Sequence, residues 1–334
     1  MEKKRMKYRQ RQNFFKTDAW KRFRKNKLAL VGTAVILLLI LVAVFAPVIA
    51  QNDPYVSLQD GNTVLKNMSP SKSHTILGTD SIGRDGFSRL VYAARVSMSV
   101  GLVAVGISTV IGIVLGAIAG YFGGVADTII MRCVDVVNCF PVLFLIIIVA
   151  TILKPSIYNV MIIIGLCNWT GTARLVRGEI LRVREMEYVQ AAVSLGATDF
   201  RIIFSHVIPN VLAPIIVEAT MQMARAILTE ASLSYLGCGV QLPTASWGNM
   251  LMDANNLATL TKRPWQWIPA GACIFLAVLS INFIGDGLRD AFDVKQKKLR
   301  RRKNGQKRDL SEKTCRSLQL YGCTPAGWCH VYLL

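Results

Sequence analysis

Two groups of ionisable residues sit inside apolar sequence, and they carry most of the chemistry this chain offers. Asp127, Arg132 and Asp135 fall in one apolar stretch, and Glu218, Gln222, Arg225 and Glu230 in another. Such residues are costly in a membrane and tend to face a bundle interior or a water path. As a relay, Asp127, Asp135, Glu218 and Glu230 would pass protons or cations. Glu218, Gln222 and Arg225 are spaced to share one helical face. That stripe suits a path lining, and structural pairing between helices suits it equally. Arg132 can pair with Asp135 at i,i+3 or reach back to the interface. Enzyme chemistry finds no foothold. There is no G-x-x-x-x-G-K-[ST] loop for ATP. The three histidines, His74, His206 and His330, form no H-E-x-x-H pair, and no G-x-S-x-G elbow occurs. None of the eight cysteines forms a C-x-x-C pair, and Cys133, Cys139, Cys167 and Cys273 lie in apolar stretches as small core residues do. Cys329-His330 fits no ligand spacing. The expectation is a chain that is not an enzyme by itself and binds no cofactor or metal.

The elements that must position these residues are membrane helices. The 334 residues are 52% hydrophobic and 18% charged, too apolar for an ordinary soluble protein. The net charge of +19 is not spread as on a nucleic-acid surface. Residues 1–27 hold twelve Lys/Arg against two acidic residues, and residues 294–334 hold eleven against two. The body between them is neutral. Two basic tails around an apolar body suit membrane orientation and anionic lipid headgroups, with no nucleic-acid partner.

Apolar runs of about 20 residues predict an all-α, polytopic protein. Six spans are expected at about 28–49, 96–121, 126–153, 157–172, 211–233 and 268–284. The first is too long for a signal-peptide core and reads as an uncleaved anchor. The basic tail 1–27 stays in the cytosol, six spans return the basic tail 294–334 to the same side, and the arginine-rich 174–209 loop falls inside with them. The transmembrane body is thus 28–293. Composition predicts disorder in the C-terminal tail.

Within that inner loop, residues 188–209 read YVQAAVSLGATDFRIIFSHVIP. A short amphipathic helix from Tyr188 is expected to place Val189, Ala192, Val193 and Leu195 on one face. Ala191 and Ala192 allow close approach by another surface. Gly196 can end the helix in a positive-φ turn, and a second short helix begins near Asp199, whose charge favours its N-terminus. Pro209 is expected to break that run before the fifth span. On spacing alone, a partnerless connector is as good a reading as a docking surface.

This segment resembles the EAA loop of bacterial ABC importer permeases. Ala191, Ala192, Gly196, Ile208 and Pro209 stand at matching positions, while Gln190 replaces the family's Glu and His206 takes an apolar place. A second stretch, His74-Thr-Ile-Leu-Gly-Thr-Asp-Ser-Ile-Gly-Arg-Asp85 followed by Ser88-Arg89-Leu90, resembles the outer-loop signature of C-type permease subunits of dipeptide, oligopeptide and nickel importers, with one extra residue after His74. The opening Trp20-Lys-Arg-Phe-Arg-Lys-Asn-Lys-Leu and the late Gly285-Asp-Gly-Leu-Arg-Asp290 look like the same group, so the resemblance spans about 18–294. Gly78 and Gly83 permit tight turns beside Thr79, Asp80, Arg84 and Asp85. Those residues either satisfy one another, the favoured reading, or meet substrate. The loop they form would brace the outer span ends or meet a binding protein.

The resemblance implies a type I ABC importer permease fold in a bacterial inner membrane with both termini cytoplasmic. It implies a second homologous permease subunit, two cytosolic ATPases that use the ATP, and an extracytoplasmic peptide-binding protein. Tyr188, Gln190, Ala191, Ala192, Gly196, Ile208 and Pro209 would form the ATPase dock. Rivals are an ion-coupled carrier or channel using the four carboxylates, and a non-transporting scaffold.

Overall fold

A computed structural model describes residues 20–70, 75–153 and 156–292. His74, most of the 1–27 tail and the whole 294–334 tail, including Cys329 and His330, lie outside the described residues. Helices dominate. The first, α1 (Lys27–Val44), is the uncharged run that begins after Asn26, whose side chain caps it by accepting from the Ala29 N–H at 3.2 Å. A short α2 (Ala46–Ile49) follows it. The outer segment then forms a small hairpin, β1 (Gln59–Asp60) with β2 (Thr63–Val64), the only strands among the described residues.

The next helix corrects the expected second span. It is one 37-residue helix, α3 (Gly86–Phe122), starting ten residues before the predicted 96. The Asp85 carboxylate caps it by accepting from the Phe87 and Ser88 N–H groups. Arg89 and Arg95 do not end it, because its first turns sit among polar partners rather than in the apolar layer.

The expected third span is broken into α4 (Gly124–Cys139) and α5 (Val142–Ile152), which meet at 86°. Pro141 has no N–H to donate and holds the residue before it in extended geometry, and Phe140 has φ −96° and ψ 136°. The expected fourth span is likewise two pieces. It ends as α6 (Ile157–Cys167), breaks at Asn168, and resumes as the charged, amphipathic α7 (Trp169–Arg184). Eleven residues of α6 rise about 16 Å, roughly half the hydrocarbon layer. Among the described residues four helices are long and apolar enough to cross a membrane, five if α4–α5 counts as one span, against the six expected.

After α7 come α8 (Glu187–Ser194) and α9 (Asp199–Ile202). Pro209 does not break the chain there, contrary to expectation. A single π-helical turn at Ile203–Val207 carries α9 directly into α10 (Ile208–Tyr235), with the Ile208 N–H donating to the Ile203 carbonyl. Pro209 sits in the first turn of α10, where its missing N–H costs nothing. Outer connections form α11 (Trp247–Leu251), a 3-10 turn at Met252–Asn255, and α12 (Leu257–Lys262). The last helix, α13 (Ile268–Phe292), runs eight residues past the predicted end.

Helix α3 is the common wall. One apolar cluster joins it to α1, α10, α11 and α13 around the fully buried Trp247, and another joins it to α5, α6 and α10. Against α7 it packs through glycine. A Cβ on Gly112 would lie 2.5 Å from the Thr172 side chain, and one on Gly116 would lie 2.6 Å from the Ala173 carbonyl oxygen. Such close approach is the membrane-protein use of small residues.

Candidate functional site

The 185–209 connection hangs on a small core. Val189 and Ile202 are buried with Val176, Ile180 and Val183 of α7 and Val211 and Ile215 of α10. The predicted shared face of α8 is only partly realised. Val189 is buried, but Val193 is 55% exposed and Leu195 is 87% exposed, because they lie a turn farther out, beyond that core. They stand beside the exposed Gln190 and Ala191 and the half-buried Tyr188 and Ala192. Gly196 closes the helix at φ +77°, donating its N–H to the Val193 carbonyl at 2.9 Å. Ile208 is half-buried and Pro209 exposed. The result is an apolar knob with small residues on its flank, held on a tight turn.

Ion pairs hold α7, which leads into this connection, against α4. Arg177 grips Asp127 with both Nε and Nη2, at 2.5 and 2.6 Å, and Arg174 bonds Asp135 at 2.7 Å, with Arg132 3.5 Å from the same carboxylate. These pairs clamp α4 to α7. The Tyr121 hydroxyl, at the end of α3, donates to Asp199 at 2.6 Å, and Arg184 donates to the Tyr121 carbonyl. The end of the α3 rod therefore touches the connection at Asp199 and the last turn of α7 that leads into it.

The polar stripe on α10 divides. Gln222 is buried and turned inward, accepting from Ser108 at 2.9 Å and donating to Thr172 at 2.8 Å and to the Asn168 carbonyl. It braces the break between α6 and α7 from the inner side of the stripe, beside a small cavity that it shares with Arg225. Glu218 and Arg225 remain on the open side, paired at 2.5 Å. Farther along, Glu230 is wholly buried and accepts from Ser97 and Ser234 at 3.0 and 2.8 Å. Ser97 additionally accepts the Trp247 N–H, which joins α3, α10 and α11 at one point. Nothing in the local sequence marks Ser97, which meets Glu230 only through the fold.

The outer-loop residues form a buried charge network. Asp80 accepts from the backbone of Ile82 and Arg84 and from Arg84 Nε at 2.7 Å, and Arg89 stands 3.6 Å away. Asp85 holds Ser88 at 2.5 Å, and Thr79 bridges Met68 and Leu65. Gly78 and Gly83 turn at positive φ. Gln266 reaches in to the Thr79 carbonyl at 2.8 Å, which fastens the late outer connection to the early one. Asp253 lies close by. Burial pushes its carboxyl above the ordinary range and Asp80 adds to the shift, against the pull of Arg89 and Arg84.

Comparison with known proteins agrees with this architecture. Residues 112–298 match the family described as binding-protein-dependent transport system inner membrane component, and residues 15–70 match the N-terminal TM domain of oligopeptide transport permease C. The chain is 43% identical over 280 residues to the dipeptide transport system permease protein DppC of Alkalihalophilus pseudofirmus, spanning 84% of this chain and 90% of that one. It is 41% identical over 282 residues to the oligopeptide transport system permease protein OppC of Bacillus subtilis, again 84% and 90%. The di/tripeptide transport system permease protein DppC of Pseudomonas aeruginosa is 40% identical over 283 residues, 84% and 92%.

Proposed function

The chain belongs to the binding-protein-dependent transport system inner membrane components, and on that premise we propose that it is the transmembrane permease subunit of an ATP-driven importer of peptides. It is a multi-pass membrane protein that leaves ATP hydrolysis to partner ATPases, and a substrate-binding protein delivers the peptide. The finer organisation is our reading. Two ATPases dock on the surface made by Tyr188, Gln190, Ala191, Ala192, Gly196, Ile208 and Pro209, and a second, homologous permease completes the path. The transmembrane body is 28–293, and the basic tails 1–27 and 294–334 face the cytoplasm beside that dock. The network of Gly78, Thr79, Asp80, Gly83, Arg84 and Asp85 stiffens the outer mouth. Glu218 and Arg225 face the path.

The observation that carries the docking surface is the exposure of Val193 and Leu195 beside Ala191 and Ala192. An apolar knob this bare on a tight turn fits insertion into a partner's groove better than solvent. Motion of the docked partner then biases the helices between two packings. The ion-relay alternative loses support because Asp127 and Asp135 are held by arginines and Glu230 by serines, leaving no continuous run of carboxylates. Changing Ala191 and Ala192 together to Glu tests the dock. Co-expressed ATPases are expected to purify with the tagged wild-type chain and to be lost from the variant. ATPases retained by a folded variant would place the dock elsewhere.

A further inference from the structure

The Glu218–Arg225 pair is the one ion pair among the described residues that lies within a single long apolar helix and is open on its outer side. Arg225 stands seventeen residues after Ile208 and ten before Tyr235, about 25 and 15 Å along the helix axis and so well inside the hydrocarbon depth. Its side chain is 58% exposed and that of Glu218 is 23% exposed. An arginine at that depth and that bare cannot face lipid tails, because no water meets its remaining N–H groups there. Only Nη2 is engaged, by Glu218, so Nε–H and Nη1–H have no acceptor among the described residues. On the inward side Gln222 bonds Ser108, Thr172 and the Asn168 carbonyl and makes no hydrogen bond to the pair, although Arg225 borders the small cavity beside it. These two N–H groups are therefore free to take an acceptor from cargo in the path.

We propose that Arg225 and Glu218 form the transmembrane subsite that takes the two charged ends of a short peptide, Arg225 receiving the terminal carboxylate and Glu218 the terminal ammonium. This rests on the peptide-importer reading above. The planar guanidinium fork matches a carboxylate with two parallel hydrogen bonds, which a lone ammonium would not. The two residues are seven apart, so they lie on one face with their Cα atoms about 10 Å apart along the axis. An extended peptide covers about 3.3–3.6 Å per residue, so a tripeptide spans the same length. The exchange is balanced in charge. With the path empty each residue neutralises the other, and with a zwitterionic peptide present each takes one of its ends. No uncompensated charge is left in the membrane at either stage, which lets the ligand enter and leave.

The test uses the whole assembly, with the partner permease, the ATPases and the binding protein in proteoliposomes. Two readouts are taken, ATP-dependent uptake of radiolabelled trialanine and photolabelling by Ala-Ala-photoleucine in the vanadate-trapped state. The expected label lies on α10 within a turn of Arg225, around Leu228 and Thr229. Arg225→Gln is expected to remove that label and to lower maximal uptake at least tenfold, while ATP hydrolysis stimulated by the binding protein persists. Arg225→Lys, which keeps the charge and loses the fork, is expected to fall between. Wild-type labelling mapped outside α10 overturns the subsite, and decides the matter even if the Gln variant does not assemble. Uptake by Arg225→Gln within twofold of wild type overturns it as well. No uptake by the wild-type assembly overturns the importer reading and this inference with it, whereas normal wild-type uptake with an inert Arg225 overturns the subsite alone.

Discussion

Replacing Gly116 with Ala adds one methyl group where α3 and α7 touch. The new Cβ would stand 2.6 Å from the Ala173 carbonyl oxygen and 2.8 Å from the Val176 Cβ, against 3.4 Å for the lower edge of ordinary contact. The carbonyl belongs to helical backbone and cannot rotate away, so the two helices must part by about 0.8 Å, the gap between those distances. Overpacking of this kind costs about 1–3 kcal/mol, partly offset by about 1 kcal/mol from the better helix propensity of Ala. Gly106, on the same helix, has nothing within 4 Å of its would-be Cβ. Gly106→Ala collects the propensity gain without the clash, so the difference between the variants isolates the contact and should be about 2 kcal/mol. Unfolding of the purified single chain in mixed micelles, followed by circular dichroism, measures both. A Gly116→Ala chain as stable as Gly106→Ala would refute the glycine-seam explanation. If the difference is found, the displacement matters beyond stability, because α7 leads directly into the surface around Leu195.

Glu230→Ala removes the acceptor of the Ser97 and Ser234 hydroxyls and should cost about 1–3 kcal/mol. The loss should appear as faster hydrogen exchange in Trp247–Leu251, while Glu230→Gln keeps most of the protection; equal exchange in all three chains would contradict the latch. Asp253 gives a pH signature. Its folded pKa is raised, so its favourable contribution is complete below the unfolded value of about 3.9 and is lost as pH rises through the folded value. Asp253→Asn should therefore match wild type in thermal midpoint near pH 4 and exceed it at pH 8, and a gap that does not grow with pH would count against the burial. Gly196→Pro removes both the +77° turn and the N–H bond to Val193. Peptide uptake should collapse in that variant while the membrane helices still fold, and normal uptake would exclude Gly196 as the pivot.

Composition alone locates α1, α10 and α13, since an unbroken apolar run has few alternatives. It measures how much chain is apolar and says little about direction. The 126–153 run is apolar enough to cross as one piece, yet Pro141 turns it through 86°. The start of α3 is equally hidden, because it is set by the Asp85 cap, which also holds Asn52, 33 residues away in sequence. Pro209 shows the reverse error. A proline reads as a breaker until its place in the first turn of α10 is known. In the site, the turn at Gly196 was legible because few residues tolerate that geometry. The bareness of Leu195 was not, since it depends on where the supporting core stops. Gln222 is rotated about 40° around the helix from Glu218, a difference periodicity treats as one face. It separates a side chain locked inside from one left open.

The π-helical turn at Ile203–Val207 joins α9 to α10 without a non-helical residue, so Asp199 to Tyr235 is one continuous helical run with Pro214 inside it. Those 37 residues make a beam of about 55 Å. A beam seated at its middle is a rocker. A tilt of about 10° carries its two ends about 5 Å in opposite directions, with the centre almost still. Arg225 and Glu218 lie near that still point, while Asp199 and Tyr235 lie at the swinging ends. Moving as one piece, it would open one side of the membrane as it shuts the other, and the cargo's handhold would scarcely move.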